Sequence, residues 1–337
     1  MLSFLVAAHA TAATLPGVRV ETIAPAVGFT TSVVVDSSGV IYYTSTSGSI
    51  YRLAGSSSIQ IASLPTRWQG DAGLLGMALL DDRTAAVHYT NVELTREIVS
   101  RVNLLTGVET KLAEFIADIS SPSRPVSEEH HGGNVTVAPD GSIFFAIGDF
   151  GGGAIAADPL WPAGKVWRIH PDGSTEQFAR GLRNVFDMAW DAENQRLILG
   201  DNGPVRGDEI NVVVKGDYLG WPYTFGNQEP VREAVPPRYV FKETVAPTGV
   251  AKLDQRNAYL RGYLMGGFVT SAIYWIPDID VFPLPDPVAL IEQEVDLVID
   301  VTQAPNGDII FSTFDSIHKL VMPAAQTSRA RHHDVDV

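Results

Sequence analysis

The chain contains no cysteine, carries little positive charge, and has no apolar run long enough to cross a membrane. The lack of cysteine excludes disulfides, thiolate zinc sites, thiol nucleophiles and covalently attached c-type haem. Its 24 Lys and Arg residues stand against 39 Asp and Glu residues, which gives a formal net charge of −15 at pH 7. So acidic a surface repels phosphate backbones and anionic lipids, and we therefore expect neither nucleic acid nor membrane insertion among its interactions.

The two ends of the chain differ in composition from its middle. The first fourteen residues, MLSFLVAAHATAAT, are apolar and end in small residues that are typical of a signal-peptide cleavage site. We expect residues 1–14 to be a signal remnant or an N-terminal arm, 15–323 to form one domain, and 324–337 to be a disordered tail. The signal predicts an extracytoplasmic protein, either periplasmic or secreted.

The middle of the chain repeats a pair of strand-like segments. The apolar runs are short, rich in Val, Ile, Tyr and Phe, and separated by turns, which is typical of strands. Six turn-and-strand units, each followed by a second strand, lie at 36–44, 81–90, 138–149, 191–201, 260–268 and 304–315. Their mean spacing of about 50 residues matches one propeller blade. The pattern predicts an all-β fold, a single six-bladed β-propeller, because ring closure buries both faces of each blade and hides its edges.

Functional residues of such a ring are expected on loops at one end of its axial channel, and EEHHGG at 128–133 is the first candidate. His130 could act as a general base near neutral pH, with Glu128 or Glu129 orienting its ring. The two glycines could let the backbone approach a ligand closely. An ordinary polar loop remains the alternative, and adjacent histidines rarely chelate one metal ion.

Two later loops carry further candidates. Arg183, in ARGLRNVFD, could hold a carboxylate or stabilise developing negative charge, although an arginine that ties two blades together through carbonyls fits the same pattern. In GDNGPVRGDEIN, Gly203 and Pro204 form an irregular turn whose carbonyls could face a hard cation such as calcium. Asp208 adds negative potential there, and a plain acidic turn is the alternative.

In this order the segments resemble the soluble quinoprotein sugar dehydrogenases, a family that includes glucose, aldose sugar and sorbosone dehydrogenases. The resemblance covers roughly residues 15–322. Its main stretches are GLLGMAL, HHGGNVTVAPDGSIFFAIGD, GKVWRIHPDG, ARGLRNVFDMAWD and GDNGPVRGDEINVVVKGDYLGWP. Each motif is weak alone, but GLRN and GDEIN…GWP are specific in combination. The resemblance implies a six-bladed propeller that binds calcium and pyrroloquinoline quinone (PQQ) and oxidises a small carbohydrate or alcohol.

The resemblance also implies roles for single residues. His130 takes the proton from the substrate hydroxyl while hydride passes to the quinone, and Arg183 stabilises charge on the quinone oxygens. The residues expected at the cofactor are Asp71, Glu129, Arg183 and Asn184. Those expected to hold calcium are the main-chain oxygens of Gly203 and Pro204, with the Asp208 carboxylate behind them.

The chain departs from the family where the charge of the cofactor is held. PQQ carries three carboxylates, for which the family supplies a lysine and two arginines. The matching positions here are uncharged: Val269, Thr270, Leu297 and Ile299. The nearby arginines that could replace them are Arg67, Arg256 and Arg261. Since burying unpaired carboxylates is costly, we expect PQQ to bind much more weakly than in the family, or not at all.

Three functions follow from these observations. The first is a calcium-dependent sugar dehydrogenase that uses a quinone cofactor. The second is a calcium-dependent lyase, epimerase or hydrolase that uses the same base without PQQ. The third is a propeller that binds a carbohydrate or a protein without catalysis, since this fold hosts many functions.

Overall fold

The computed structural model describes residues 15–117, 128–231 and 233–323. The predicted N-terminal segment 1–14 and tail 324–337 lie outside the described residues, so the predicted location stays a prediction. Within the described ranges, one helix is present, α1 (Gly153–Ala157), and no helix is long and apolar enough to span a membrane.

The remaining elements are strands. In chain order they are β1 (Arg19–Pro25), β2 (Thr30–Val35), β3 (Ile41–Ser45), β4 (Ser49–Ala54), β5 (Ser57–Ser63), β6 (Leu74–Asp81), β7 (Thr84–Thr90), β8 (Arg96–Asn103), β9 (Glu109–Ile116), β10 (Val135–Val137), β11 (Ile143–Ile147), β12 (Lys165–Ile169), β13 (Thr175–Arg180), β14 (Val185–Asp191), β15 (Arg196–Asp201), β16 (Glu209–Val213), β17 (Tyr239–Val240), β18 (Pro247–Leu253), β19 (Gly262–Gly267), β20 (Ala272–Ile276), β21 (Val288–Glu292), β22 (Asp300–Gln303), β23 (Ile309–Ser312) and β24 (Ser316–Val321).

These strands form six four-stranded antiparallel sheets, the blades of a six-bladed β-propeller, which confirms the predicted fold. Five blades are consecutive: β2–β5, β6–β9, β10–β13, β14–β17 and β18–β21. Each predicted repeat unit supplies the second strand of a blade, and the segment after it supplies the third. The sixth blade adds β1 to the outer side of β22–β24, with Arg19 opposite Val321. The first strand of the chain therefore closes the ring.

The core consists of six apolar layers, one between each pair of neighbouring blades in the described structure. Phe144 of the third blade and Trp190 of the fourth illustrate the packing, since their rings stack with centroids 4.7 Å apart. The alternating side chains of each strand thus bury both faces of a blade against its neighbours, which a single four-stranded sheet could not do.

The innermost strand of every blade begins at the same end of the axial channel, which we call the mouth. Residues at or just before the start of all six inner strands line one cavity there, among them Thr31, Leu75, Gly132, Pro247 and Ile299. The turns between the second and third strands reach the same end. The ring therefore gathers loops that are distant in sequence around one opening.

Three polar side chains, the waist residues Asn134, Asp187 and Asp300, join the inner strands in pairs. An inner strand has one edge facing the channel, where its N–H groups lack ladder partners. Asp300 accepts hydrogen bonds from the N–H groups of Val33 in the first blade (2.7 Å) and Val301 in its own (2.8 Å). Asn134 links the second and third blades in the same way, and Asp187 links the fourth and fifth.

The waist makes stability depend on pH. Burial raises the pKa of Asp300 to about 7, and burial together with the charge of Asp300 raises the pKa of Asp187 well above its usual range. Burial also raises the pKa of Asp201, near the mouth, to about 7. Between pH about 4 and about 7 the folded state therefore binds more protons than the unfolded state, so the free energy of unfolding should fall as pH rises.

For Asp300 and Asp201, a pKa near 7 in place of one near 4 corresponds to about 4 kcal/mol each across that window. The buried His318 acts in the opposite sense, because burial lowers its pKa. The test therefore compares the pH dependence of the free energy of unfolding between a variant and the wild type. Asp300→Asn resembles the protonated acid in shape and should flatten the slope in urea denaturation between pH 5 and pH 8. An unchanged slope in this variant would show that Asp300 does not titrate in this window.

Candidate active site at the channel mouth

His130 precedes the third blade, and a buried carboxylate holds its ring. Its Nδ1 lies 2.7 Å from Oδ1 of Asp149, whose side chain is 1% exposed. Asp149 also accepts hydrogen bonds from the indole N–H of Trp221 (2.9 Å) and the backbone N–H of Gly151 (2.9 Å). The ring is 14% exposed, and its Nε2 has no hydrogen-bond partner among the described residues. Asp149 thus favours a proton on Nδ1, which leaves Nε2 able to accept one.

The carboxylate on the ring is therefore Asp149, whereas the sequence had suggested Glu128 or Glu129. Asp149 follows β11, and the pairing of β10 with β11 brings its loop beside the His130 loop. Glu128 instead contacts the side-chain amide of Gln69, and its carbonyl accepts the N–H of Asp71 (2.7 Å). The predicted cofactor contact of Glu129 stays a prediction.

Asp71 fixes the backbone of His130. Its Oδ2 accepts the His130 N–H at 2.8 Å, and the His130 carbonyl accepts the N–H of Phe150 at 3.2 Å. His130 has φ of 57°, a left-handed conformation that is uncommon for a residue with a side chain. Such strain persists only where surrounding contacts hold it, and it concentrates at functional sites. Asp71, predicted at the cofactor, also lines the mouth cavity.

His131, the next residue, is fully buried and belongs to a structural cluster. Its Nδ1 lies 2.7 Å from Oε1 of Glu97, and Nε2 of His88 lies 3.3 Å from the other oxygen. Burial alone would raise the pKa of Glu97, but hydrogen bonds from the two imidazoles hold it below its usual range. His131 therefore anchors this loop to the second blade, while His130 remains the candidate base.

The two glycines after His131 allow close approach of backbone to backbone. A Cβ atom on Gly133 would lie 1.8 Å from the carbonyl oxygen of Phe186, and one on Gly132 would lie 2.2 Å from that of Ala146. The sequence predicts that these glycines let the backbone approach a ligand closely. At Gly133 the close approach is instead between the third blade and the fourth. It brings the His130 loop beside the loop that carries Arg183.

Arg183 binds carbonyl groups of the turn between β15 and β16. Its Nη1 donates to the carbonyls of Asn202 (2.7 Å) and Gly203 (3.0 Å), and its backbone N–H donates to Asp201 (2.9 Å). The guanidinium carbon lies 5.8 Å from the centre of the Trp221 ring. Arg183 thus ties the loop before β14 to a turn of the same fourth blade, and its predicted role at a cofactor stays a prediction.

Trp221 nevertheless places Arg183 near the candidate base. The same indole that lies beside Arg183 donates to Asp149, and the backbone N–H of Asp149 donates to the Arg183 carbonyl at 2.8 Å. Asn184, the next residue, accepts the N–H of Gly132 at 3.2 Å and lines the mouth cavity. The predicted residues of the loops before the third and fourth blades thus meet in one place.

The oxygens predicted to hold calcium have other partners. The carbonyl of Gly203 accepts from Arg183, and that of Pro204 accepts the N–H of Gly207 at 2.8 Å. The Asp208 carboxylate accepts three backbone N–H groups at 2.8 to 3.0 Å, and burial raises its pKa. No cluster of three or more His, Asp or Glu side chains suited to a metal occurs in the described parts of the chain. Each of these oxygens has at least one donor, and the predicted calcium site stays a prediction.

The cavity at the mouth, which we call the mouth pocket, has a volume of about 310 Å³. Aromatic rings form much of its wall, contributed by Phe29, Trp68, Phe186 and Phe268. Asp71 is the one ionisable side chain among its described lining residues. The residues that follow His130 and Arg183 by two and by one, Gly132 and Asn184, line this cavity, whereas His130 and Arg183 themselves are absent from its lining.

Comparison with known proteins adds a family. A family model described as Glucose / Sorbosone dehydrogenase matches residues 29–321. The chain is 26% identical over 181 residues to quinoprotein glucose dehydrogenase B of Acinetobacter calcoaceticus, covering 44% of this chain and 34% of that protein. It is 26% identical over 186 residues to aldose sugar dehydrogenase YliI of Escherichia coli, covering 49% of this chain and 50% of that protein. The chain thus spans at most about half the length of these relatives.

A solved structure shares the fold. The PQQ-bound form of aldose sugar dehydrogenase from Streptomyces coelicolor superposes with a TM-score of 0.77 at 22% identity, covering 91% of this chain and 99% of that one. At this identity the likeness supports the six-bladed architecture, and the chemistry has to be argued from the side chains.

Proposed function

Because the chain belongs to the glucose/sorbosone dehydrogenase family, we propose that it is an oxidoreductase that oxidises a hydroxyl group of a small carbohydrate. One observation carries the proposal beyond family membership: the hydrogen bond of 2.7 Å between His130 and the buried Asp149 leaves Nε2 of a partly exposed imidazole without a hydrogen-bond partner in the described parts of the chain. A positioned base of this kind is what removal of a hydroxyl proton requires.

In the proposed step, His130 Nε2 takes the hydroxyl proton, and the hydrogen on the same carbon leaves as hydride, so the alcohol becomes a carbonyl. The Asp149 carboxylate stabilises the imidazolium that forms, as an orienting carboxylate does for other catalytic histidines. Arg183 lies beside the Trp221 indole that donates to Asp149, and it contributes positive potential where negative charge develops. A quinone acceptor, the class named for the Acinetobacter relative, supplies the oxidising equivalents.

Of the two cofactors that the resemblance implies, PQQ lacks its matching set of residues here, and the predicted calcium ligands already have hydrogen-bond donors. The carbonyls of Gly203 and Pro204 have partners, and the four positions matched to the family's cationic anchors are uncharged. The proposed roles of His130, Asp149 and Arg183 therefore depend on this chain's own side chains.

Dye-linked oxidation tests the proposal. Purified protein is incubated with aldoses and polyols, an artificial electron acceptor and an added quinone, with and without calcium. The proposal expects reduction of the dye with at least one sugar and its loss in His130→Ala. Absence of dye reduction with every sugar and quinone, while sugar binds calorimetrically, would favour a non-oxidising propeller instead.

A further inference from the structure

We infer that the mouth pocket binds an uncharged ring molecule and rejects PQQ in its ionised, tricarboxylate form. Where it allows the ring molecule to be an electron acceptor, the inference rests on the proposed oxidoreductase function. The pocket itself supplies the argument, through its charge, its walls and the residues that replace the expected anchors.

The electrostatics of the pocket oppose an anion. Among its described lining residues Asp71 alone is ionisable, and it is an acid. The side chain of Glu128 lies close by, in contact with Gln69. Three further carboxylates in such a cavity would lose their hydration without gaining a cationic partner.

The positions expected to supply cations cannot do so. Ile299 is buried and lines the pocket with an apolar side chain. Thr270 is buried and accepts the hydroxyl of Tyr274 at 3.0 Å, while Val269 is 41% exposed. Leu297 is partly buried in the turn that leads to Ile299.

The three arginines suggested as replacements do not line the pocket either. Arg256 pairs with Asp254, and it lines the channel cavity that contains the waist residues, beyond the mouth. Arg261 donates to the carbonyls of Asn257 and Leu260. Arg67 is exposed and is absent from the pocket lining. Arg183 donates from Nη1 to two carbonyls, and it too is absent from the pocket lining.

What remains suits a neutral ring. Phe29 packs edge-on against Phe314 with centroids 5.0 Å apart and lies 5.9 Å from Trp68, which forms an aromatic wall at the rim. Such faces favour flat, uncharged surfaces such as a pyranose ring or a quinone without carboxylates. Thr46 also lines the pocket, and its buried hydroxyl has no hydrogen-bond partner among the described residues. A ligand hydroxyl or carbonyl would satisfy it.

Titrations with defined probes test the inference. Glucose, the uncharged ortho-quinone 9,10-phenanthrenequinone and PQQ are each titrated into the protein, with and without calcium, by calorimetry or tryptophan fluorescence. We expect saturation with at least one uncharged probe and PQQ binding about 10³-fold or more weaker than micromolar. Micromolar PQQ affinity, or no binding of either uncharged probe, would overturn the inference. Glucose binding identifies the pocket as the sugar site, and quinone binding identifies it as the acceptor site.

Restoring the cations provides the matched test. Val269→Lys combined with Leu297→Arg changes exposed or partly exposed positions and should strengthen PQQ binding by about 10-fold or more per cation. The controls are Val269→Gln with Leu297→Gln, which keeps length without charge, and Leu105→Lys, which adds charge in the β8–β9 turn, away from the mouth. Equal PQQ binding in the cationic and glutamine variants would contradict the charge argument.

The titrations also separate this inference from the proposed function. Tight PQQ binding with sugar oxidation would overturn the inference and leave the oxidoreductase intact. Binding of uncharged probes without oxidation of any sugar would support the inference and overturn the proposed oxidoreductase function.

Discussion

Replacing His130 with alanine should lower the turnover number by about 10²–10⁴-fold and leave the fold intact, which is the usual cost of losing a general base. The ring is partly exposed, and without it the buried Asp149 keeps its hydrogen bonds from Trp221 and Gly151. Asp149→Asn should also lower turnover. The amide can neither stabilise the imidazolium that forms nor hold the ring as the carboxylate does.

His131→Ala is the matched control, one residue away. It leaves the buried Glu97 without its closest imidazole, so the free energy of unfolding should fall by about 3–5 kcal/mol. Turnover per folded molecule should change by a few-fold at most. Steady-state kinetics and urea denaturation on the three variants separate the two effects. If His131→Ala lost turnover and His130→Ala kept it, the assignment of the base would be wrong.

Gly133→Ala should destabilise the protein by about 4 kcal/mol or more, or prevent folding altogether, because neither backbone segment at this contact can move alone. The added Cβ would lie 1.8 Å from the Phe186 carbonyl oxygen, and that oxygen already accepts the N–H of Asn134 at 2.5 Å. The conformation of Gly133 is not left-handed, so the cost is steric.

Gly39→Ala supplies the comparison. Gly39 has φ of 88° in a turn where nothing lies within 4 Å of an added Cβ, so its replacement should cost only about 1 kcal/mol. Soluble yield and chemical denaturation measure the stability of the Gly133 and Gly39 variants. If the Gly133 variant were as stable as the Gly39 variant, the contact between third and fourth blades would be more adaptable than its geometry indicates.

The repeat period predicted the ring well, because the second and third strands of each blade are local hairpins with their own turn signals. Their register and the blade count follow from residues close in sequence. Strand β1 was not predicted as part of the sixth blade, since its partner β24 is fixed only when the ring closes. The sequence of a single strand does not indicate which distant strand it pairs with.

Within the site, the residue types in the sequence predicted which residues are candidates, but they did not predict which residues contact one another. His130 and Arg183 stand out because their loops carry more polar residues than a strand connection needs. Asp149 was missed as the partner of His130, since a carboxylate after a strand looks like any turn residue, and only strand pairing brings it to the imidazole. Likewise, the carbonyls of Gly203 and Pro204 look free in the sequence, and the fold supplies their donors.

The pairing of β1 with β24 also bears on how the protein is made. Arg19 and Val321 are about three hundred residues apart, so a ribosome finishes almost the whole chain before the first strand can meet its partner. Until then β1 waits as an unpaired strand, and the outer edge of β24 stays open once that strand has formed. Closing so long a loop is entropically costly and slow, and the nascent ring is exposed to edge-to-edge association during that interval. Loss of residues at either terminus would leave the same gap in the sixth blade.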